Sequence, residues 1–182
     1  WEDLYDANII NATQDKNATY MIYEDVVGDK QITANTILSS ELNDHILLNT
    51  SINYKSLKSE NYGQVQDLLG GTGFLNVDSF DGVQYDLINP NFIAKEGDKY
   101  GYNYNVLANV LSGYAQAQFK YNKVDFYVSG SVTNTQYQRE GLFQHETFAD
   151  KSFGKGEKLS FTGLGAKAGV TYKITGKHVL DF

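Results

Sequence analysis

Apolar and polar residues alternate with period two through much of the chain. From Ile46 to Ser56 one parity carries Ile46, Leu48, Thr50, Ile52 and Tyr54. The other carries Leu47, Asn49, Ser51, Asn53 and Lys55. Successive side chains of a strand point to opposite faces, so this pattern predicts a half-exposed antiparallel strand and not a helix. The same holds for Gly113, Ala115, Ala117, Phe119 and Tyr121 against Ser112, Tyr114, Gln116, Gln118 and Lys120. It recurs in Val124, Phe126, Val128, Gly130 and Val132 against Asp125, Tyr127, Ser129, Ser131 and Thr133. It recurs again in Leu164, Ala166, Ala168, Val170, Tyr172 and Ile174 against Gly163, Gly165, Lys167, Gly169, Thr171 and Lys173. A weaker strand is expected from Gln31 to Glu41, another begins near Thr19, and a last one opens at His178.

The connections alternate between short and long. Asn43-Asp44, Asn122-Lys123 and Gly176-Lys177 read as short turns, because Asn, Asp and Gly tolerate the positive φ of tight hairpins. Ser59 to Asn105 and Arg139 to Ser160 read as long polar connections. Asp3 to Ala12 is expected as a short helix. Glu60 to Leu69 is expected as another, ended by Gly70-Gly71 as a C-cap. The fold class is therefore all-β, an antiparallel meander of long strands. Short turns at one end, long loops at the other, one apolar face and aromatics near strand ends are the layout of an outer-membrane barrel. In that layout the polar face, with Lys55, Lys120, Lys167 and Lys173, lines the lumen. Phe119, Tyr121, Phe126 and Tyr172 form a periplasmic aromatic girdle, and the long loops face outward. Soluble antiparallel sheets alternate too. The alternative reading is a soluble extracellular β-sandwich that binds carbohydrate or protein through its long loops.

Composition narrows the classes. The 182 residues are about one domain's length. A single Pro, where average usage gives roughly nine, suits long uninterrupted strands. Net charge is −7 with no Lys/Arg block, which argues against nucleic-acid partners. The absence of Cys excludes a disulfide framework, thiol catalysis and thiolate metal sites. No apolar run approaches the ~18–20 residues of a membrane helix; the longest, Val106 to Leu111, is interrupted by Asn109. Mean hydropathy of −0.41 reads as soluble, but membrane barrels hide their apolar residues in alternation. Trp1-Glu2-Asp3 gives no sign of a leader, and a chain opening on Trp reads as a processed or excised piece.

The stretch Ser59-Glu60-Asn61-Tyr62 through Asp67-Leu68-Leu69-Gly70-Gly71 resembles a loop of TonB-dependent receptors. The nearest subfamily carries an N-terminal carboxypeptidase-regulatory-like domain. Supporting segments are Leu87-Ile88-Asn89-Pro90-Asn91, Glu96 to Asn105 (EGDKYGYNYN), Tyr137-Gln138-Arg139-Glu140-Gly141 and Phe153-Gly154-Lys155-Gly156-Glu157-Lys158. The resemblance covers nearly the whole chain. It implies a section of an energy-coupled importer of scarce nutrients in the cell outer membrane of a Gram-negative bacterium. Such receptors are roughly 22-stranded barrels closed by a plug. Six or seven strands are expected here, with no plug, no TonB-contacting segment and no closing C-terminal strand, so residues 1–182 read as a middle slice. The implied partners are membrane lipid, the remaining strands and plug, and the TonB system through parts outside this slice. A surface lipoprotein or a secretion machine in the same membrane is a further partner class.

No constellation for catalysis emerges, so no enzyme activity, cofactor or metal is expected. His45, His145 and His178 lack the i,i+4 partner of a helical zinc site. No Gly-x-Ser-x-Gly elbow occurs, and Gly70-Gly71-Thr72-Gly73 lacks the Lys of a phosphate loop. Asp78-Ser79-Phe80-Asp81-Gly82 resembles a calcium loop weakly, with Asp86 near enough in sequence to complete an oxygen-rich site, but it lacks the acidic residue at the third position. Three glycosylation triplets, at Asn11, Asn17 and Asn49, are short matches, common by chance and irrelevant if the source is bacterial. The long connections are rich in aromatics, and Phe74, Phe80, Tyr85, Phe143 and His145 are the candidate ligand-facing residues. The competing role for these rings is to pack the loops against each other.

Overall fold

The computed structural model describes residues 1–182. Helix α1 spans Glu2–Thr13, and strands β1 and β2 span Ile22–Asn43 and Ile46–Asp67. Short strands β3 (Phe74–Leu75) and β4 (Ile93–Ala94) lie within the connection to β5 (Lys99–Lys120). Strand β6 covers Val124–Gly141. A 3-10 turn (Glu146–Phe148), α2 (Ala149–Ser152) and β7 (Gly154–Lys155) lead to β8 (Leu159–Thr175) and β9 (His178–Asp181). The main sheet has the order β1-β2-β5-β6-β8-β9, with β7 beside β6; β3 and β4 pair separately. The fold is an all-β antiparallel meander, as the alternation predicts.

Three expectations need correction. Glu60 to Leu69 is not a helix: β2 continues to Asp67. The Val65 N–H donates to the Asp98 carbonyl and the Val65 carbonyl accepts from Gly97 N–H. These long-range backbone bonds outweigh a weak local helix preference. The turn at Leu69 (φ 51) and Gly70 (φ 81) closes a strand and not a helix. The long connections are correspondingly shorter, 68–98 and 142–158, because their flanks join the strands. The stretch near Thr19 and the one from Gln31 merge into the single strand β1.

The chain divides into two compact units. Unit 1 comprises Trp1–Lys30, Leu57–Leu107 and Gln138–Lys158; unit 2 comprises Gln31–Ser56, Ala108–Tyr137 and Leu159–Phe182. Unit 1 has a small core of Ala18, Val65, Leu68, Phe74 and Ala94, against which Met21 and Tyr100 pack. Gly63 is fixed there by close approach: a Cβ would strike the Tyr100 carbonyl oxygen.

Unit 2 is built differently. Among its residues only Ala108 is buried. The β6–β8 register pairs Val124 with Tyr172, Phe126 with Val170, Val128 with Ala168, Gly130 with Ala166 and Val132 with Leu164. Directly opposed residues share a face, so these rungs form one continuous apolar surface. Phe119 of β5 stacks on Phe126 at 4.4 Å and joins the same face. The Tyr54 hydroxyl donates to Asn109 Oδ1, which places the Ile46-to-Tyr54 parity of β2 there as well. Phe182 exchanges both backbone hydrogen bonds with Val170 and adds its ring. On β2, β5, β6 and β8 this face carries no charged residue within unit 2. The opposite face carries Ser129 against Lys167, and Lys173 Nζ pairs with Asp125 at 2.7 Å.

The apolar face has an edge. Beyond Val132/Leu164 the next rungs are Asn134/Thr162 and Gln136/Ser160, and the Asn134 amide donates to both Ser160 and Thr162 hydroxyls. On the other face the order reverses, with Thr135 against Phe161 and Tyr137 against Leu159. Charge follows the same partition. Unit 1 holds 18 acidic and nine basic residues, for −9; unit 2 holds four acidic and six basic, for +2.

Candidate functional site

The five candidate ligand-facing residues, Phe74, Phe80, Tyr85, Phe143 and His145, all belong to unit 1. The connection after β3 folds back on itself: Asp78 N–H donates to the Val83 carbonyl, and Asp78 Oδ1 accepts from Phe80 N–H at 2.8 Å. Asp86, nearly fully buried, ties this loop to the one after β6. Its Oδ1 accepts from Ile88 N–H and Gln144 N–H, both at 3.1 Å, and its Oδ2 accepts from the Asn89 amide at 3.0 Å. Leu87 N–H to the Gln144 carbonyl and Glu146 N–H to the Gln84 carbonyl complete the junction. This junction is why Tyr85 and His145, sixty residues apart, stand with rings 5.8 Å apart.

Tyr100 joins them from the start of β5. Its ring meets Tyr85 edge-on at 5.5 Å, Phe74 edge-on at 5.5 Å and Tyr23 of β1 at 5.9 Å. Together with Gly101 and Tyr102 these rings line an open recess of about 300 Å³. The Tyr102 hydroxyl donates to Asp25 at 2.8 Å, and the Tyr85 hydroxyl donates to Asp78 at 3.3 Å. The Thr147 N–H donates to His145 Nδ1, so the proton of the neutral imidazole sits on Nε2.

Two of the five sequence-predicted residues, Tyr85 and His145, line the recess. Phe74 lies behind it in the core, and Phe80 stands at a loop tip in full solvent. Phe143 is half-buried, its N–H donating to the Asn103 carbonyl. The weak calcium loop is not completed: the buried Asp86 carboxylate is engaged by Ile88, Asn89 and Gln144, and Asp78 and Asp81 accept from the backbone of their own turn. Tyr23 escaped the sequence reading because it lies in a strand and not in a loop. The run Tyr100, Tyr102, Tyr104 at period two was the available signal for a tyrosine-bearing strand face.

Burial raises the pKa of both Tyr85 and Tyr100 above the ordinary phenol value. Tyr102 is pushed up to about 12, by loss of solvent first and then by its bond to Asp25 and that group's charge. A phenol whose folded pKa is raised contributes stability that is present below its unfolded pKa near 10 and lost as pH rises through the folded value. Tyr102 is therefore expected to stay neutral at pH 10.5, and its contribution to unit 1 to be lost as pH rises through about 12. Absorbance of tyrosinate followed against pH tests this; full titration of all 14 tyrosines near pH 10 would contradict it.

Comparison with family models, with curated proteins and with solved structures finds no match for the chain.

Proposed function

We propose that the chain is a section of the barrel of a TonB-dependent outer-membrane receptor that imports a nutrient ligand. The observation that carries this reading is the uncharged apolar face of unit 2. A water-soluble sheet buries such a face against a second layer. Here the only other sheet, β3–β4, lies in unit 1, and unit 2 buries a single Ala. The continuous apolar rungs run from Val124 to Val132, nine positions, close to the roughly 9–11 residues a tilted strand needs to cross a bilayer. Stacked Phe119 and Phe126, Tyr121 beside them and Tyr172 suit the aromatic girdle at the short-turn end. The opposite face, with Lys167 and the Lys173–Asp125 pair, suits a watery lumen. The long connections 68–98 and 142–158, with their aromatics, suit outward, ligand-capturing loops. Lipid, further strands and a plug complete the barrel, and the TonB system supplies the energy; the chain itself carries out no catalytic step in this reading.

The test is topological. Single cysteines at Thr72 and, separately, at Asn43, both exposed, are placed in the full-length chain on intact cells. An impermeant thiol reagent should label Thr72→Cys and leave Asn43→Cys unlabelled. Labelling of Asn43→Cys alone would invert the orientation. Labelling of both would favour a soluble or surface-attached module.

A further inference from the structure

We propose that the tyrosine recess of unit 1 binds the head group of an organic cation, specifically a methylated ammonium. This deepens the receptor reading by naming a ligand class, and rests on it only for the biological use of the site.

Four tyrosine rings and an imidazole surround the recess. The faces of such rings carry negative potential and attract a cation within about 6 Å of the centroid. Two wall hydroxyls donate to carboxylates, Tyr102 to Asp25 and Tyr85 to Asp78. Those bonds push electron density into the rings and set two negative charges at the rim. No Lys or Arg lines the space. The nearby cations are already committed: Lys99 Nζ lies 4.2 Å over the Tyr62 ring, and Arg139 lies 4.9 Å over Tyr104 while donating to the Ser152 carbonyl. Unit 1 thus uses the same kind of contact within itself. Its −9 charge also favours capture of cations at long range.

The recess distinguishes among cations. The walls are mainly ring surface, and a bare ammonium, strongly hydrated and with three N–H groups to satisfy, loses more water on entering than a methylated one. A methylated ammonium has little or no N–H to satisfy and presents methyl groups to ring faces. The volume, about 300 Å³, is at the small end of ligand pockets and suits a head group more than a whole large solute. Gly101 lines the space with φ +75, in the left-handed region that favours glycine. Tyr23, 52% exposed, forms an open lip through which a longer substituent can leave.

The test is calorimetric titration of the detergent-purified full-length protein with choline. The control is its uncharged carbon isostere, 3,3-dimethylbutan-1-ol. Choline is expected to bind about tenfold more tightly than the isostere. Tyr23→Leu and Asp25→Asn, both at exposed rim positions, should each weaken choline several-fold, while Tyr23→Phe, which keeps the ring face, should not. Equal affinity for the two probes would make the recess merely apolar and overturn the proposal. So would the absence of saturable choline binding, or unchanged binding in Tyr23→Leu and Asp25→Asn. These outcomes are independent of cysteine labelling, so failure here leaves the membrane reading standing, and the reverse.

Discussion

Arginine at Val128 or Ala168 is expected to block membrane insertion of the full-length chain, whereas arginine at Ser129 is expected to be tolerated. Val128 and Ala168 are direct cross-strand partners at the middle of the apolar band, two rungs from either limit. A cation on the lipid side at mid-bilayer costs ~2–4 kcal/mol, and nothing on that face offers a counter-charge. Ser129 lies one residue away, opposite Lys167, on the face assigned to water. Gly169 is a poorer control: a Cβ there would meet the Tyr127 ring at 2.5 Å, so crowding would mimic a lipid-side defect. Folding yield into liposomes of set composition reads the effect. Equal yields for Val128→Arg and Ser129→Arg would remove the face assignment.

The second large effect is expected at Asn8. Helix α1 leaves Ile9 and Ile10 about half exposed, so apolar burial does little to hold it. Asn8 is fully buried and makes four hydrogen bonds. Its amide donates to the carbonyls of Tyr20 (2.8 Å) and Leu68 (2.7 Å), and its Oδ1 accepts from Thr19 and Tyr20 N–H (2.8 and 3.1 Å). Asn8→Ala strands those backbone groups, each loss costing roughly 1–3 kcal/mol if the group stays dry; partial wetting should bring the total to about 3–5 kcal/mol. Asn8→Asp is expected to be at least as damaging, because a carboxylate oxygen would face two carbonyl oxygens. Amide hydrogen exchange across residues 1–20 should rise sharply in both variants. Protection unchanged from the parent would show that α1 is held by something else.

What could be read from the sequence follows from what period two can encode. The strands of unit 2 announce themselves because one parity is apolar from Val124 to Val132 and from Leu164 to Ile174. Their partner register, which sets Val128 against Ala168, depends on the turn and is not written in either strand alone. The strand ends were hidden because the apolar parity inverts past residue 133, where Tyr137, Leu159 and Phe161 face the other way. In 60–69 the residues carry no clean alternation, and the pairing partners at Gly97 and Asp98 are about thirty positions distant. The recess was legible only in part. Tyr85 and His145 stood out as loop aromatics, but their meeting depends on Asp86 reaching Gln144. Tyr23 enters through a strand whose exposed apolar residues, Ile37 and Leu38 among them, fall on both parities.

The central claim is that one face of unit 2 touches lipid and the other touches water. Spin labels placed one at a time from Asp125 to Thr133 in the liposome-inserted full-length protein test it most directly, through their accessibility to oxygen and to a water-soluble nickel chelate. The account predicts strict alternation: high oxygen and low nickel at Phe126, Val128, Gly130 and Val132, the reverse at Asp125, Tyr127, Ser129, Ser131 and Thr133. Nickel access at every position, without alternation, would contradict it.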